Sequence, residues 1–177
     1  MASLSPAVGP LAGGTRVVIK GLWLEDVKQV QFGPHDARFK MVSAKQVVAW
    51  SPAGAGSVAL VLKTSAGTSD PAKGDRHDDF SYLARSQVLR LSPANGPASG
   101  GTAVVIRGKG FEDVARVTFG SRTVHFKVVS AEEIMARSPQ ETGIVAVVVT
   151  TPGGPSAKDD QDRFTFTPRR ATPKKGK

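Results

Sequence analysis

The sequence has no cysteine, so no disulfide can staple it and its stability must come from packing. It also lacks any apolar stretch near the roughly 18–20 residues that would cross a bilayer as a helix, and no membrane span is expected. The opening Met1-Ala2-Ser3-Leu4-Ser5-Pro6 has neither a basic n-region nor an apolar h-region, so it is not expected to act as a cleavable leader. Nowhere does a period of 3.6 persist for three turns, which argues against long helices. The sequence has no Gly-x-Ser-x-Gly elbow and no zinc-ligand spacing. His35, His77 and His125 share no spacing and read as surface residues in loops or on solvent faces. Together these absences argue against an enzyme, and no cofactor is expected.

What is present begins with charge. The net charge is +9, but residues 1–86 carry only +3 and residues 87–168 only +1. The last nine residues carry five cations, Arg169, Arg170, Lys174, Lys175 and Lys177, and no acid. The body is therefore near neutral. A proline-punctuated basic tail of this kind is expected to be disordered in isolation and open to an acidic partner.

A repeat dominates the rest. Leu4-Ser5-Pro6 recurs as Leu91-Ser92-Pro93, and Gly13-Gly14-Thr15 as Gly100-Gly101-Thr102. Val17-Val18-Ile19 recurs as Val104-Val105-Ile106, Phe32-Gly33 as Phe119-Gly120, and Ser51-Pro52 as Ser138-Pro139. Every pair lies 87 residues apart, so no gap is needed as far as about Pro71. The register then slips to 84, where Phe80-Ser81-Tyr82 matches Phe164-Thr165-Phe166, because the first copy has a longer loop before its last strand. Within each copy, short β-branched runs end at glycine or proline, as in Thr15 to Lys20, Gln46 to Trp50 and Val58 to Leu62. About seven such strands per copy imply a two-sheet antiparallel sandwich.

Several strings carry a resemblance. Leu91-Ser92-Pro93-Ala94-Asn95-Gly96-Pro97 with Ser99-Gly100-Gly101-Thr102 resembles the opening of an IPT/TIG domain. So do Ile106-Arg107-Gly108-Lys109-Gly110-Phe111 and Thr150-Thr151-Pro152-Gly153-Gly154. The first copy departs where Leu22-Trp23-Leu24 replaces the Gly-x-Gly-Phe turn and Ser65-Ala66-Gly67 replaces Pro-Gly-Gly. The resemblance, to a bacterial or phage type, implies an all-β chain of two tandem immunoglobulin-like (E-set) sandwiches. Domain 1 is expected over residues 1–84, domain 2 over 85–168 and the basic tail over 169–177.

Candidate binding residues lie where the copies differ. Trp23 aligns with Gly110 at a turn, and Trp50 aligns with Arg137 and by alternation should point away from the core. An outward tryptophan is a large amphipathic surface for a protein or sugar. Asp75, Asp78 and Asp79, and their counterparts Asp159, Asp160 and Asp162, read either as a carboxylate cluster for Ca²⁺ or as solvated loops that discourage edge pairing. Three functional readings follow. The first is a non-catalytic module making protein or glycan contacts at a cell or particle surface, alone or as a homo-oligomer or larger assembly. The second is a phage virion component of capsid or tail. The third is polyanion or nucleic-acid binding through Arg169, Arg170, Lys174, Lys175 and Lys177.

Overall fold

The computed structural model describes residues 3–69 and 79–168. Asp75, His77, Asp78 and the five tail cations lie outside the described residues. The chain divides into two compact units, residues 1–84 and 85–177. Among the described residues no helix is long and apolar enough to cross a membrane.

The first unit contains β1 (Ser3–Ser5), β2 (Val8–Pro10), β3 (Arg16–Lys20), β4 (Val27–Phe32), β5 (His35–Ser43), β6 (Gln46–Trp50), β7 (Gly56–Thr64), β8 (Gly67–Thr68) and β9 (Asp79–Leu83). One sheet runs β1-β3-β6-β5 and the other β5-β4-β7-β9-β2. The long β5 serves both, because His35 to Ala37 pair with β4 whereas Arg38 onward pairs with β6.

The second unit contains β10 (Gln87–Ser92), β11 (Asn95–Pro97), β12 (Ala103–Lys109), β13 (Arg116–Phe119), β14 (Arg122–Val124), β15 (Phe126–Ser130), β16 (Glu133–Arg137), β17 (Gly143–Thr151), β18 (Gly154–Pro155) and β19 (Arg163–Thr167). Its sheets, β10-β12-β16-β15 and β11-β19-β17-β13-β14, are separate, because the crossing strand is broken at His125.

Alternation builds each core. Val17 and Ile19 of β3 and Val47 and Ala49 of β6 face inward, as do Val104 and Ile106 of β12 and Ile134 and Ala136 of β16. An aromatic row fills the centre of each unit. Phe80 meets Phe32 and Tyr82 edge-on at 5.1 and 5.0 Å, and Phe164 meets Phe119 and Phe166 at 5.3 and 4.9 Å. The rows differ at one atom: the Tyr82 hydroxyl donates to the Pro52 carbonyl at 2.9 Å, and Phe166 has no hydroxyl.

The recurring sequence motifs meet in space. The Gly14 amide donates to the Ser51 carbonyl at 2.7 Å, and the Thr15 amide to Ser51 Oγ at 3.1 Å. Gly101 and Thr102 bond Ser138 in the same way, at 2.8 and 3.1 Å. A Cβ on Gly13 would lie 2.4 Å from the Pro52 backbone, and one on Gly100 2.5 Å from that of Pro139. The Gly-Gly-Thr and Ser-Pro strings are thus two halves of one tight contact, which is why both recur.

Two parallel pairings escaped the sequence reading. β2 pairs parallel with β9, and β11 with β19. Val8-Gly9-Pro10 and Asn95-Gly96-Pro97 are too short to alternate, and each ends in a proline, which a sheet tolerates only at its margin.

Candidate binding site

Trp23 sits at the tip of the connection between β3 and β4, with φ of 61°. Its counterpart Gly110 has φ of 71°, so both copies build the same left-handed turn. Glycine adopts this region freely, whereas a bulky side chain there is strained by about 1–3 kcal/mol. The strain is not offset by burial, because Trp23 is 80% exposed and Leu22 beside it 64%. Neighbouring residues hold the turn: the Gly21 amide donates to the Lys45 carbonyl, the Leu24 amide donates to the Ala44 carbonyl, and Leu24 enters the core.

Beside Trp23 lies an apolar depression of about 520 Å³, lined by Leu22, Leu24 and, from the β7–β8 hairpin, Leu62 and the Ala66–Ser69 turn. Asp26 ties these walls together, accepting from the amide and hydroxyl of Ser65 and pairing with Lys28. The hydrogen bond from Lys28 holds its carboxyl below the usual value. In the second unit Ser86 and Val88 stand at the corresponding place, and the first unit's counterpart of Val88, Met1, lies outside the described residues. There Ser86 Oγ donates to the carbonyl of Val149, the counterpart of Leu62, and Val88 is buried. A Cβ on Gly110 would lie only 3.5 Å from Ser86.

Trp50 lies on the outer face of the sheet, half-buried, between Arg16 on β3 and Arg38 on β5, both paired with it in register. The Arg38 guanidinium sits over its ring, 4.7 Å from the centroid. The structure therefore separates the two tryptophans, Trp23 at an end of the sandwich and Trp50 on a face. Alternation indicates the outward direction of Trp50. The arginine stacked on it was not foreseen, because it depends on cross-strand register.

The remaining candidates do not converge. His35 and His125 are exposed and belong to separate units. Among the described residues no group of three or more His, Cys, Asp or Glu side chains is placed to hold a metal ion. The aspartates of the second unit divide their roles instead. Asp159 caps a short 3-10 turn, accepting from the Gln161 amide at 2.8 Å, and Asp160 pairs with Arg163 at 2.9 Å. Asp162 corrects the expectation of a solvated loop. It is fully buried, accepts from the Asp159 amide at 3.2 Å through one oxygen, and has no partner for the other. Burial pushes its carboxyl up, as it does the Tyr82 hydroxyl.

Two antiparallel sandwiches with interlocked turns and exposed loop tips define an immunoglobulin-like repeat protein. Residues 1–73 and 86–166 match the IPT/TIG domain, and the chain belongs to that family. It is 27% identical over 157 residues to Fibrocystin-L of Homo sapiens, which covers 85% of this chain but only 4% of that protein. In fold it is similar to the full extracellular region of Plexin A4, domains 1 to 10, with a TM-score of 0.58 at 21% identity, covering 96% of this chain and 16% of that one. A second structure of that region, domains 1 to 8, gives a TM-score of 0.52 at 22% identity over 94% of this chain and 18% of that one.

Proposed function

We propose that this chain is a non-catalytic binding module that makes protein or glycan contacts at a cell or particle surface through the Trp23 end of its first unit. One observation carries the reading: a tryptophan occupies a left-handed position that the second copy fills with glycine, and it stays 80% exposed. Such a residue lowers stability without contributing to a core, the pattern of a side chain kept for contact. Leu22 and the depression beside it supply the apolar floor an aromatic anchor needs.

The test is adhesion of beads coated with the full chain to intact cells and to assembled particles, alongside an array of neutral glycans. Trp23→Ala and Leu22→Ser should each reduce capture at least tenfold while the β-sheet circular dichroism stays unchanged. Capture that survives both substitutions would reject the Trp23 end as the contact.

A further inference from the structure

The outer face around Trp50 has an organisation the Trp23 end does not share. On this face β3 presents Arg16, Val18 and Lys20, β6 presents Trp50, Val48 and Gln46, and β5 adds Arg38 and Lys40. Arg16 and Arg38 flank Trp50, and Lys40 pairs with Val48. The outward residues thus form a lattice: two rows of two cations, about 10 Å apart at twice the interstrand spacing, on either side of β6. Between them runs an apolar floor, in which Val48 is only 2% exposed although it faces outward. Neither β3, nor β6, nor the Arg38–Ser43 part of β5 contains a carboxylate. Among the described residues, none of the four cations is in an ion pair.

The second unit carries a less basic version of this face. Ala103 stands where the first has Arg16, and Glu133 where it has Gln46, pairing with Arg107 at 3.1 Å. Arg137 replaces Trp50 and donates instead to the Gly101 carbonyl at 3.2 Å.

We infer that the outer face of β3, β6 and β5 is a docking surface for a linear acidic polysaccharide, with carboxylates bound by Arg16 and Arg38 and, further along, by Lys20 and Lys40. Charge complementarity sets the sign, and the ring sets the chemistry. Stacking on Trp50 holds the Arg38 guanidinium as a planar fork, the geometry that engages a carboxylate through two parallel N–H bonds. With Arg38 over the ring and Arg16 beside it, Trp50 offers no open platform on which a nucleobase could stack. A flat sheet face likewise has no helix or ribbon to enter a groove of duplex DNA. An extended polyuronate, whose carboxylates alternate from side to side along the chain, fits two cation rows astride β6. This surface is independent of the Trp23 end, so either can fail alone.

The experiment is calorimetric titration of the full chain with polygalacturonate oligomers at physiological salt, where weak exposed attractions are screened. Arg16→Gln combined with Arg38→Gln should reduce affinity at least tenfold, and Trp50→Leu should reduce it severalfold. Arg107→Gln with Arg137→Gln should leave it unchanged, and methyl-esterified polymer should not bind. The inference is overturned if the wild-type chain does not bind polygalacturonate. It is equally overturned if affinity follows neutralisation of Arg169, Arg170, Lys174, Lys175 and Lys177 instead of the face. Tighter binding of single-stranded DNA with the same dependence on Arg16 and Arg38 would also overturn it, in favour of nucleic acid.

Discussion

The two units build matching cores and differ on their surfaces. Where they agree, recurring motifs touch within each unit: Gly-Gly-Thr lies on Ser-Pro, and the aromatic row of one unit matches that of the other almost ring for ring. At two of the places where they differ, the second copy takes the arrangement that relieves strain or pairs a charge. Gly110 relaxes the turn that Trp23 strains, and Glu133 neutralises Arg107. The second unit has strained features of its own, at Asp113 with φ of 51° and at the buried, half-partnered Asp162. The first keeps strained, exposed and unneutralised features in the same framework, and such features are the ones a binding surface requires.

The comparison can be broken first at its common part. Phe80→Ala and Phe164→Ala should each cost about 3–5 kcal/mol in denaturant titrations, because both rings are fully buried at the centre of a row. Unequal losses would show that the cores are not equivalent. A smaller asymmetry lies at the row's end, where a Cβ on Gly54 would come within 2.6 Å of the Tyr82 ring. Gly54→Ala should therefore cost about 2 kcal/mol by overpacking, and Tyr82→Phe about 1 kcal/mol by losing the bond to Pro52.

Exchanging the turn residues sharpens the contrast further. Trp23→Gly should raise stability by about 0.5–1 kcal/mol, the relieved strain being partly offset by the greater freedom of unfolded glycine. Gly110→Trp should move the second unit the opposite way. If Trp23→Gly destabilises, the side chain has a structural role and the contact proposal loses its main support.

The smallest effect is a pH slope. Burial raises the Asp162 carboxyl in the folded state, so between its unfolded and folded values the folded chain binds more protons than the unfolded one. That group's contribution to stability therefore grows as pH falls through the raised folded value and is lost as pH rises. Asp162→Asn keeps an acceptor for the Asp159 amide and removes the charge. It should flatten this slope and leave melting at neutral pH equal to or slightly above wild type.

Much of the fold was legible because strands and turns are local. β-branched runs bounded by glycine and proline marked β3, β6 and β7, and the 87-residue echo showed that the framework is built twice. The candidate surfaces were less legible because they depend on pairing between distant segments. Arg38 meets Trp50 only through the register of β5 on β6, and Arg16 only through β3 on β6. The left-handed turn at Trp23 was hidden by its residue type and visible only through alignment with Gly110. Asp162 looked like one charge in an acidic loop, and its burial follows from a capping turn no spacing rule announces.

The short parallel pairings determine how each unit responds to mechanical tension. β2 near the start of the first unit runs parallel to β9 at its end, closed by Ser81 N–H to Ala7 at 2.9 Å and Leu11 N–H to Leu83 at 3.3 Å. β11 and β19 repeat this, with Thr165 N–H to Ala94 and Ala98 N–H to Thr167, both at 2.9 Å. Pulling the two ends of a unit apart drags parallel neighbours past one another, so these bonds are loaded together in shear. An antiparallel hairpin pulled from its open end would instead unzip one bond at a time. The least conspicuous strands in the sequence therefore act as each unit's clasp under load.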